Sequence, residues 1–287
     1  MTTIGAEVIK KIYKLRPLDS RKYDFGLMLV IGGSEFYTGA PALAALAAFR
    51  AGLDMVRVIA PKRAADIIAS FSPVLASYGL KGDYIEKEHV ALLVSRTIAA
   101  KEVARGNASV VIGSGLGRDE QTQEVIKEYL SAIDVPCVID ADAIYAVAEQ
   151  PAIVAGKPFV ITPHSNEFML LTGKEIRELP QDEKIKLVQE EAARLQTTIL
   201  FKAHIDIISD GKEVILNKTG TPYMTIGGTG DTLAGIVGAL LARGISPLEA
   251  AAAGAYINGK AGEFASKKFK DSLIATDLIE EIRNVIM

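Results

Sequence analysis

Gly227, Gly228, Thr229 and Gly230 stand immediately before Asp231, at the mouth of an apolar stretch that runs from Thr232 to Ala242. The first turn of a helix leaves backbone N–H groups unpaired, so a helix mouth takes anions. Glycines let a phosphate approach the backbone and permit dihedrals closed to other residues. A carboxylate repels a neighbouring phosphate, so Asp231 is not there to bind the anion. A base that takes the proton from a hydroxyl attacking phosphorus explains it. An Asp in a first helical turn is common for its effect on the helix dipole alone. That bland reading leaves the glycines unexplained, because one polar cap suffices and each glycine costs conformational entropy. Gly228, Thr229 and Gly230 are therefore expected to contact phosphate, and Asp231 to act as the base.

Other loops carry weaker signals. Gly32-Gly33-Ser34 leads through Tyr37-Thr38-Gly39-Ala40 to Pro41, and reads either as a ligand wall or as a flexible strand-to-helix loop. Gly113-Ser114-Gly115-Leu116-Gly117 resembles a dinucleotide fingerprint but has Arg118 where a small residue must pack, so a dehydrogenase is not indicated. Asp140 and Asp142 close a short strand; one of the two is expected at a helix start and the other at a ligand. His164 and Glu167, three apart at a helix opening, are expected to face one cleft. They are too few for zinc, and His89 and His204 have no ligand spacing with them. Lys202 emerges from a buried run and needs a partner, either a phosphate, a carboxylate, or Asp206 four residues on.

These loops need a frame to bring them together. Leu27–Ile31, Met55–Ile59, Val110–Ile112, Val138–Ile139 and Phe159–Ile161 are apolar at every position, and helical stretches separate them. Such strands are covered on both faces, as in a parallel α/β sheet, where ligands sit at the carboxyl ends. After Thr197, three apolar runs come close together with Asp210-Gly211 between the last two, which predicts an antiparallel C-terminal edge. Ile4, Val8, Ile12 and Leu15 keep helical spacing, to pack on the chain's own sheet or on a neighbour. No linker or repeat divides residues 1–287, so one domain is expected.

With 49% hydrophobic and 23% charged residues, the chain can bury a sizeable core. Its formal net charge of -3 and the absence of a long Lys/Arg block argue against nucleic acid as a partner. Cys137 is the single cysteine and lies in an apolar run, so no internal disulfide is expected. Neither a signal-peptide pattern nor a membrane span is evident, and a cytoplasmic location with no membrane partner is the expectation.

Taken in order, five of these motifs resemble those of the ribokinase-like superfamily, and within it the ADP/ATP-dependent NAD(P)H-hydrate dehydratases. They are Gly32-Gly33-Ser34 with Tyr37-Thr38-Gly39-Ala40, Gly115-Leu116-Gly117, Asp140-Ala141-Asp142-Ala143, Thr162-Pro163-His164 with Glu167-Phe168, and Gly227 to Asp231. The similarity runs roughly from Gly26 to Ala265. Small kinases of the superfamily typically carry Asn at the place of His164. The resemblance implies a three-layer sandwich with a mostly parallel central sheet. It implies an enzyme, a hydro-lyase, that returns the S epimer of hydrated NADH or NADPH (NADHX or NADPHX) to the active cofactor. ADP, or ATP, would phosphorylate the C6 hydroxyl, and phosphate would then leave. Ala40, Gly115, His164 and Asp231 would contact the hydrated dinucleotide. Lys202, Ala203, His204, Ile205, Asp206 and Gly230 would contact the adenine nucleotide. Mg²⁺ would ride on phosphates and water near Glu167.

A stand-alone homo-oligomer, a tetramer, is implied as well. The chain departs from the family pattern in three places: Ala203 stands for a Gly, Asp206 for a Thr, and Ser114 for a Pro in a Gly-Pro-Gly turn. The alternatives are a kinase of a small heterocyclic alcohol, such as a thiazole or pyrimidine vitamin precursor, and a nucleotide-binding protein without chemistry.

Overall fold

A run such as Leu27–Ile31 can face water on neither side, and the fold covers both. In the computed structural model, which describes Met1–Met287, its side chains alternate between two apolar cores. Met28 and Val30 enter one core; Leu27, Leu29 and Ile31 enter the other. The elements in chain order are β1 (Thr2–Thr3), α1 (Glu7–Ile12), β2 (Leu27–Ile31), α2 (Ala40–Arg50), β3 (Met55–Pro61), α3 (Lys62–Phe71) and β4 (Ala76–Leu80). Next come α4 (Val90–Val103), β5 (Ala108–Ile112), α5 (Glu120–Ala132), β6 (Cys137–Ile139), α6 (Ala143–Glu149), β7 (Phe159–Ile161) and α7 (Ser165–Thr172). The last third holds α8 (Gln181–Leu195), β8 (Thr198–Phe201), β9 (Asp206–Ser209), β10 (Val214–Asn217), α9 (Thr229–Ala242), α10 (Pro247–Phe269) and α11 (Ala275–Ile286).

One ten-stranded sheet runs β1-β10-β9-β8-β7-β6-β5-β2-β3-β4. Only β9 opposes the others, pairing antiparallel with β8 and β10. The antiparallel C-terminal edge is thus present, with Asp210-Gly211 in the β9–β10 turn. From β2 the chain moves outward through β3 and β4, then returns to place β5 on the other side of β2. The crevice at the carboxyl ends of β2 and β5 is therefore a topological switch point, where open α/β sheets bind ligands. The Gly32-Gly33 and Gly113-Ser114-Gly115 turns follow these two strands. Helices α1, α2, α3, α9, α10 and α11 contribute to the core on one face, and α4 to α8 to the core on the other. No helix is long and apolar enough to cross a membrane.

Two strands escape a reading based on apolar runs. β4 is an edge strand whose Ala-Ser-Tyr-Gly-Leu sequence buries only Leu80, and β1 is two exposed residues. The N-terminal helix packs on its own molecule: Val8 is buried, and Ile4, Ile9 and Ile12 rest on the core. It ends before Leu15, which is 99% exposed.

Helix α9 has no polar face; every residue from Thr232 to Ala242 is buried. It lies across β2, β5 and β6, and the Ser109 hydroxyl donates to the Gly238 carbonyl oxygen at 2.7 Å. Its amino end thereby reaches the switch point. Gly235 permits this, because a methyl group there would overlap the Ala44 carbonyl oxygen of α2. The alanine gains about 1 kcal/mol in helix propensity, but overlap with backbone does not relax cheaply. Gly235→Ala is expected to lose about 1–3 kcal/mol of stability, read as a lower urea midpoint at unchanged m-value, and to displace Asp231 one turn away.

Candidate active site

The ends of β2, β5, β6, β7 and β8 and the starts of α6, α7 and α9 carry the candidate residues. The start of α9 supplies the anion-binding element. Gly228 precedes the helix at φ +96°, and no side chain caps it. The first intrahelical bond there runs from Thr232 N–H to the Gly228 carbonyl at 3.0 Å. The N–H groups of Thr229, Gly230 and Asp231 thus lie in the uncapped first turn. The Thr229 hydroxyl is turned back onto the Met224 carbonyl at 2.9 Å, which leaves the mouth open.

Lys202, at the end of β8, answers the need for a partner with carboxylates. Its ammonium lies 2.8 Å from Asp140 Oδ1 and 3.6 Å from Glu167 Oε2. Thr162 Oγ1 donates to the same Asp140 oxygen at 2.6 Å. Burial works to discharge Lys202, but Asp140 and Glu167 outweigh it and hold its pKa above the usual lysine value. The ammonium sits beside Gly230, where a methyl group would come within 3.7 Å of it. Lysine and helix mouth therefore face the same space.

Asp206 is not Lys202's partner. Its carboxylate accepts from the Ala203 N–H at 3.0 Å and from Asn217 Nδ2 at 2.9 Å. Burial raises its pKa to about 6, against the pull of these hydrogen bonds. The residue that replaces a Thr thus ties the 203–206 turn to β10, with both oxygens engaged in hydrogen bonds within the protein.

The two acids after β6 divide their work. Asp142 sits at the start of α6, and its carboxylate braces the glycine turn through Gly117 N–H at 3.0 Å and Arg118 Nε at 2.8 Å. Asp140 is the acid that reaches the site. Gly113 is required beside it: its φ is +129°, and a methyl group there would overlap the Asp140 carbonyl oxygen.

His164 and Glu167 cap α7 reciprocally. Glu167 Oε2 accepts from the His164 N–H at 2.8 Å, and His164 Nδ1 receives the Asn166 and Glu167 N–H groups at 3.2 Å each. His164 Nε2 is left facing Glu167 Oε1 at 3.5 Å.

Asp231 lies one helical step beyond Gly230, facing Asp140, Asp142, Lys202 and Ser114. Burial raises its pKa to about 7, and Asp140 and Asp142 add to the rise; the Ser114 hydroxyl and Lys202 oppose it. A carboxylate that exchanges its proton near neutrality suits a general base.

A cleft of about 700 Å³ opens beside these groups, lined by His164, Lys202, Ala203, His204, Asp206, Thr229 and Gly230. Ile205, Glu167, Gly228 and Asp231 border this group without forming the cleft wall. Neither Ala40, which opens α2, nor Gly115, in the turn after β5, lines this cleft. Gly115 packs so closely on Tyr37 that a methyl group would sit 2.7 Å from Tyr37 Cβ. Sequence reading missed the opposite cleft wall, Thr219 to Met224 with Asn258 and Gly259. The signals were there: Gly220-Thr221-Pro222 breaks the chain, and Asn258 is a polar residue in an alanine-rich helix. Its amide accepts from Thr232 Oγ1 at 2.7 Å.

The family model described as NAD(P)H-hydrate dehydratase matches residues 28–284. A bifunctional NAD(P)H-hydrate repair enzyme of Pyrobaculum aerophilum is 43% identical over 94% of this chain, which spans 52% of that protein. The chain thus covers about half the length of that relative. It covers 96% of an ADP-dependent (S)-NAD(P)H-hydrate dehydratase of Nitrosopumilus maritimus, at 37% identity over 99% of its own length. The Bacillus subtilis ADP/ATP-dependent NAD(P)H-hydrate dehydratase, co-crystallised with ATP/Mg²⁺, superposes with a TM-score of 0.79 at 25% identity, covering 99% of this chain and 97% of that one.

Proposed function

The chain belongs to the NAD(P)H-hydrate dehydratase family, in a ribokinase-like sandwich; from that premise we propose that it dehydrates the S epimer of NADHX and NADPHX with ADP as phosphoryl donor. The observation that carries this reading is the juxtaposition of Asp231 with the open α9 mouth and the Lys202 ammonium. Asp231 takes the proton of the C6 hydroxyl as its oxygen attacks the terminal phosphorus of ADP, and AMP departs. Hydroxide is a poor leaving group near neutrality, whereas the phosphate ester formed is a good one. The ring nitrogen pushes its electron pair toward C6, the C6–O bond breaks with its electrons going to phosphate, and loss of a proton from C5 restores the double bond. The α9 N–H groups and Lys202 hold the transferred group, as phosphoryl transfer requires.

Ala40, Gly115 and His164 are assigned to the hydrated dinucleotide, and Lys202 to Asp206 with Gly228, Thr229 and Gly230 to the nucleotide. The cleft that Lys202, Ala203, His204, Asp206, Thr229 and Gly230 line together supports the nucleotide assignment, and His164 lines the same cleft. ADP is favoured over ATP because the full-length Nitrosopumilus maritimus relative bears that name. The donor set fits a magnesium ion carried on phosphates. No group of three ligating side chains is present, and Glu167 Oε1, which accepts no hydrogen bond and has His164 Nε2 3.5 Å away, is the oxygen that would meet a coordinated water. Asp140, Glu167 and Asp231 outnumber Lys202, so the anionic nucleotide needs the charge that Mg²⁺ supplies. We place the enzyme in the cytoplasm as a homotetramer; the exposed Leu15 and Leu18 offer apolar surface for a neighbouring copy. A kinase of a vitamin alcohol and a protein without chemistry are set aside: family membership disfavours the first, and the second has no need of Asp231.

The test incubates purified protein with hydrated NADH, Mg²⁺ and ADP or ATP in turn. Recovery of the near-ultraviolet absorbance of NADH with matching release of phosphate is expected, faster with ADP. No recovery with either nucleotide defeats the proposal, and phosphorylation of a thiazole alcohol without it would favour the kinase. Because the Asp231 pKa is about 7, kcat/KM should fall about tenfold per pH unit below that value and level off above it.

A further inference from the structure

Two walls of the cleft spring from one pair of facing residues. β9 begins at Asp206 and β10 ends at Asn217, and these two are the last register partners of their antiparallel ladder. Before Asp206 the chain forms one wall, with Ala203 and His204; after Asn217 it forms the other, with Thr219 to Pro222. Asp206 holds its own wall, because its Oδ1 accepts the Ala203 N–H at 3.0 Å. Its Oδ2 crosses the ladder and accepts from Asn217 Nδ2 at 2.9 Å. Asn217 carries the link onward: its Oδ1 accepts the Thr219 N–H at 3.2 Å and the Thr219 hydroxyl at 2.8 Å. Thr219 is in turn seated on α10, where a methyl group at Gly259 would overlap its Oγ1.

Each atom in this relay has one permitted role. The two Thr219 donors fix the Asn217 amide, so its NH₂ must face β9. Residue 206 must then accept from two donors at once, which a carboxylate does and a carboxamide does not. Asn217 is fully buried and does not line the cleft, so an unmatched amide there is costly and cannot turn to a ligand instead. We propose that Asp206 and Asn217 are positioning residues: their hydrogen-bonded pair sets the separation of the two cleft walls, and with it the affinity for the nucleotide. The inference rests on the reading of this cleft as the ADP site. It gives Asp206 a task performed through Asn217 rather than on the nucleotide itself.

The test uses isosteric variants and calorimetric titration with ADP and Mg²⁺. Asp206→Asn puts an NH₂ against one of the two donors, and Asn217→Asp sets two carboxylates face to face. Each should weaken ADP binding about fivefold or more. The double variant, Asp206→Asn with Asn217→Asp, restores the pattern in reverse. The new amide at 206 donates to the new carboxylate at 217, which still accepts both Thr219 donors. Only the 3.5 Å contact from Asn217 Nδ2 to the Thr219 carbonyl is forfeited. The double variant should therefore bind ADP within about twofold of the parent. In turnover, the losses of the single variants should fall on KM for ADP rather than on kcat, because Asp231 and the α9 mouth keep their places. Asp206→Ser can accept from Ala203 but does not reach Asn217. It should bind as weakly as Asp206→Asn, and it gives the same reading where an isosteric variant does not fold. Single variants that bind ADP as the parent does overturn the inference, whatever their melting temperatures, because the pair is then structural only. A double variant as weak as Asp206→Asn also overturns it, because Asp206 then touches the nucleotide directly. A parent that binds no ADP overturns the reading of the cleft, and the inference with it.

Discussion

Asp231→Asn should bind ADP with unchanged affinity and lose about 10²- to 10⁴-fold in turnover, the range expected when a general base is removed. It should also be more stable than the parent at pH 8. The sign follows from the carboxyl's two environments. Its pKa is about 7 in the folded chain against 3.8 in the unfolded one. Between these values the folded state holds the extra proton, so stability falls as pH rises from about 4 to 7 and stays low above that. Asparagine has no proton to lose. At pH 8 the variant should gain about 1–4 kcal/mol, the upper end being the full shift without relief by water, and at pH 4 it should match the parent. Thermal melts at pH 4 and pH 8, calorimetric titration with ADP and recovery of NADH absorbance measure the three effects. A variant that keeps turnover defeats the base assignment. A variant that loses turnover and also melts lower at pH 8 points to misfolding instead.

That pairing of lost activity with gained stability separates a working site from a structural one. Three carboxylates around one ammonium are a poor arrangement for an empty protein. Burial and like charge destabilise ionised Asp231, and the same factors make it basic enough to take a proton near neutrality. The strain lies in the first turn of α9, whose remaining length is wholly apolar and firmly packed.

The sequence showed this loop because its glycines cannot be explained by helix capping, and it showed the parallel strands because they are apolar at every position. It could not show what Lys202 and Asp206 touch. A lysine at a strand end and an aspartate four residues on invite pairing, yet β9 reverses between them and carries Asp206 toward Asn217 of β10. The partner of Lys202 lies 62 positions earlier, at the end of β6. The nearer residue was the natural choice, and sheet order decided otherwise. The β4 edge and the Thr219–Met224 wall were silent for a related reason: neither buries an apolar face, so neither has a period to read.

Lys202→Met is expected to be the most damaging single change for stability and binding together. The methionine fills the same volume without the charge, so Asp140 and Glu167 face each other unneutralised at low exposure. Removing one partner of a buried ion pair costs about 3–5 kcal/mol. Lys202 keeps 20% of its side chain exposed, so water relieves part of this and about 2–4 kcal/mol is expected. The loss should depend on pH. With the ammonium gone, the folded state takes up a proton among its carboxylates more readily than the unfolded state does. The gap from the parent should therefore narrow as pH falls from 8 to 5. Affinity for ADP should drop at least tenfold, because the cation beside Gly230 is lost. The acid limb of kcat/KM should move upward, because Lys202 also holds down the Asp231 pKa. Urea unfolding at pH 5 and pH 8, with ADP titrations at each, separates the parts. Weakened binding with a gap that does not change with pH would assign Lys202 to the nucleotide alone. A gap that changes with pH, together with undiminished ADP affinity, would make it a structural counterion and leave the α9 mouth to hold phosphate unaided.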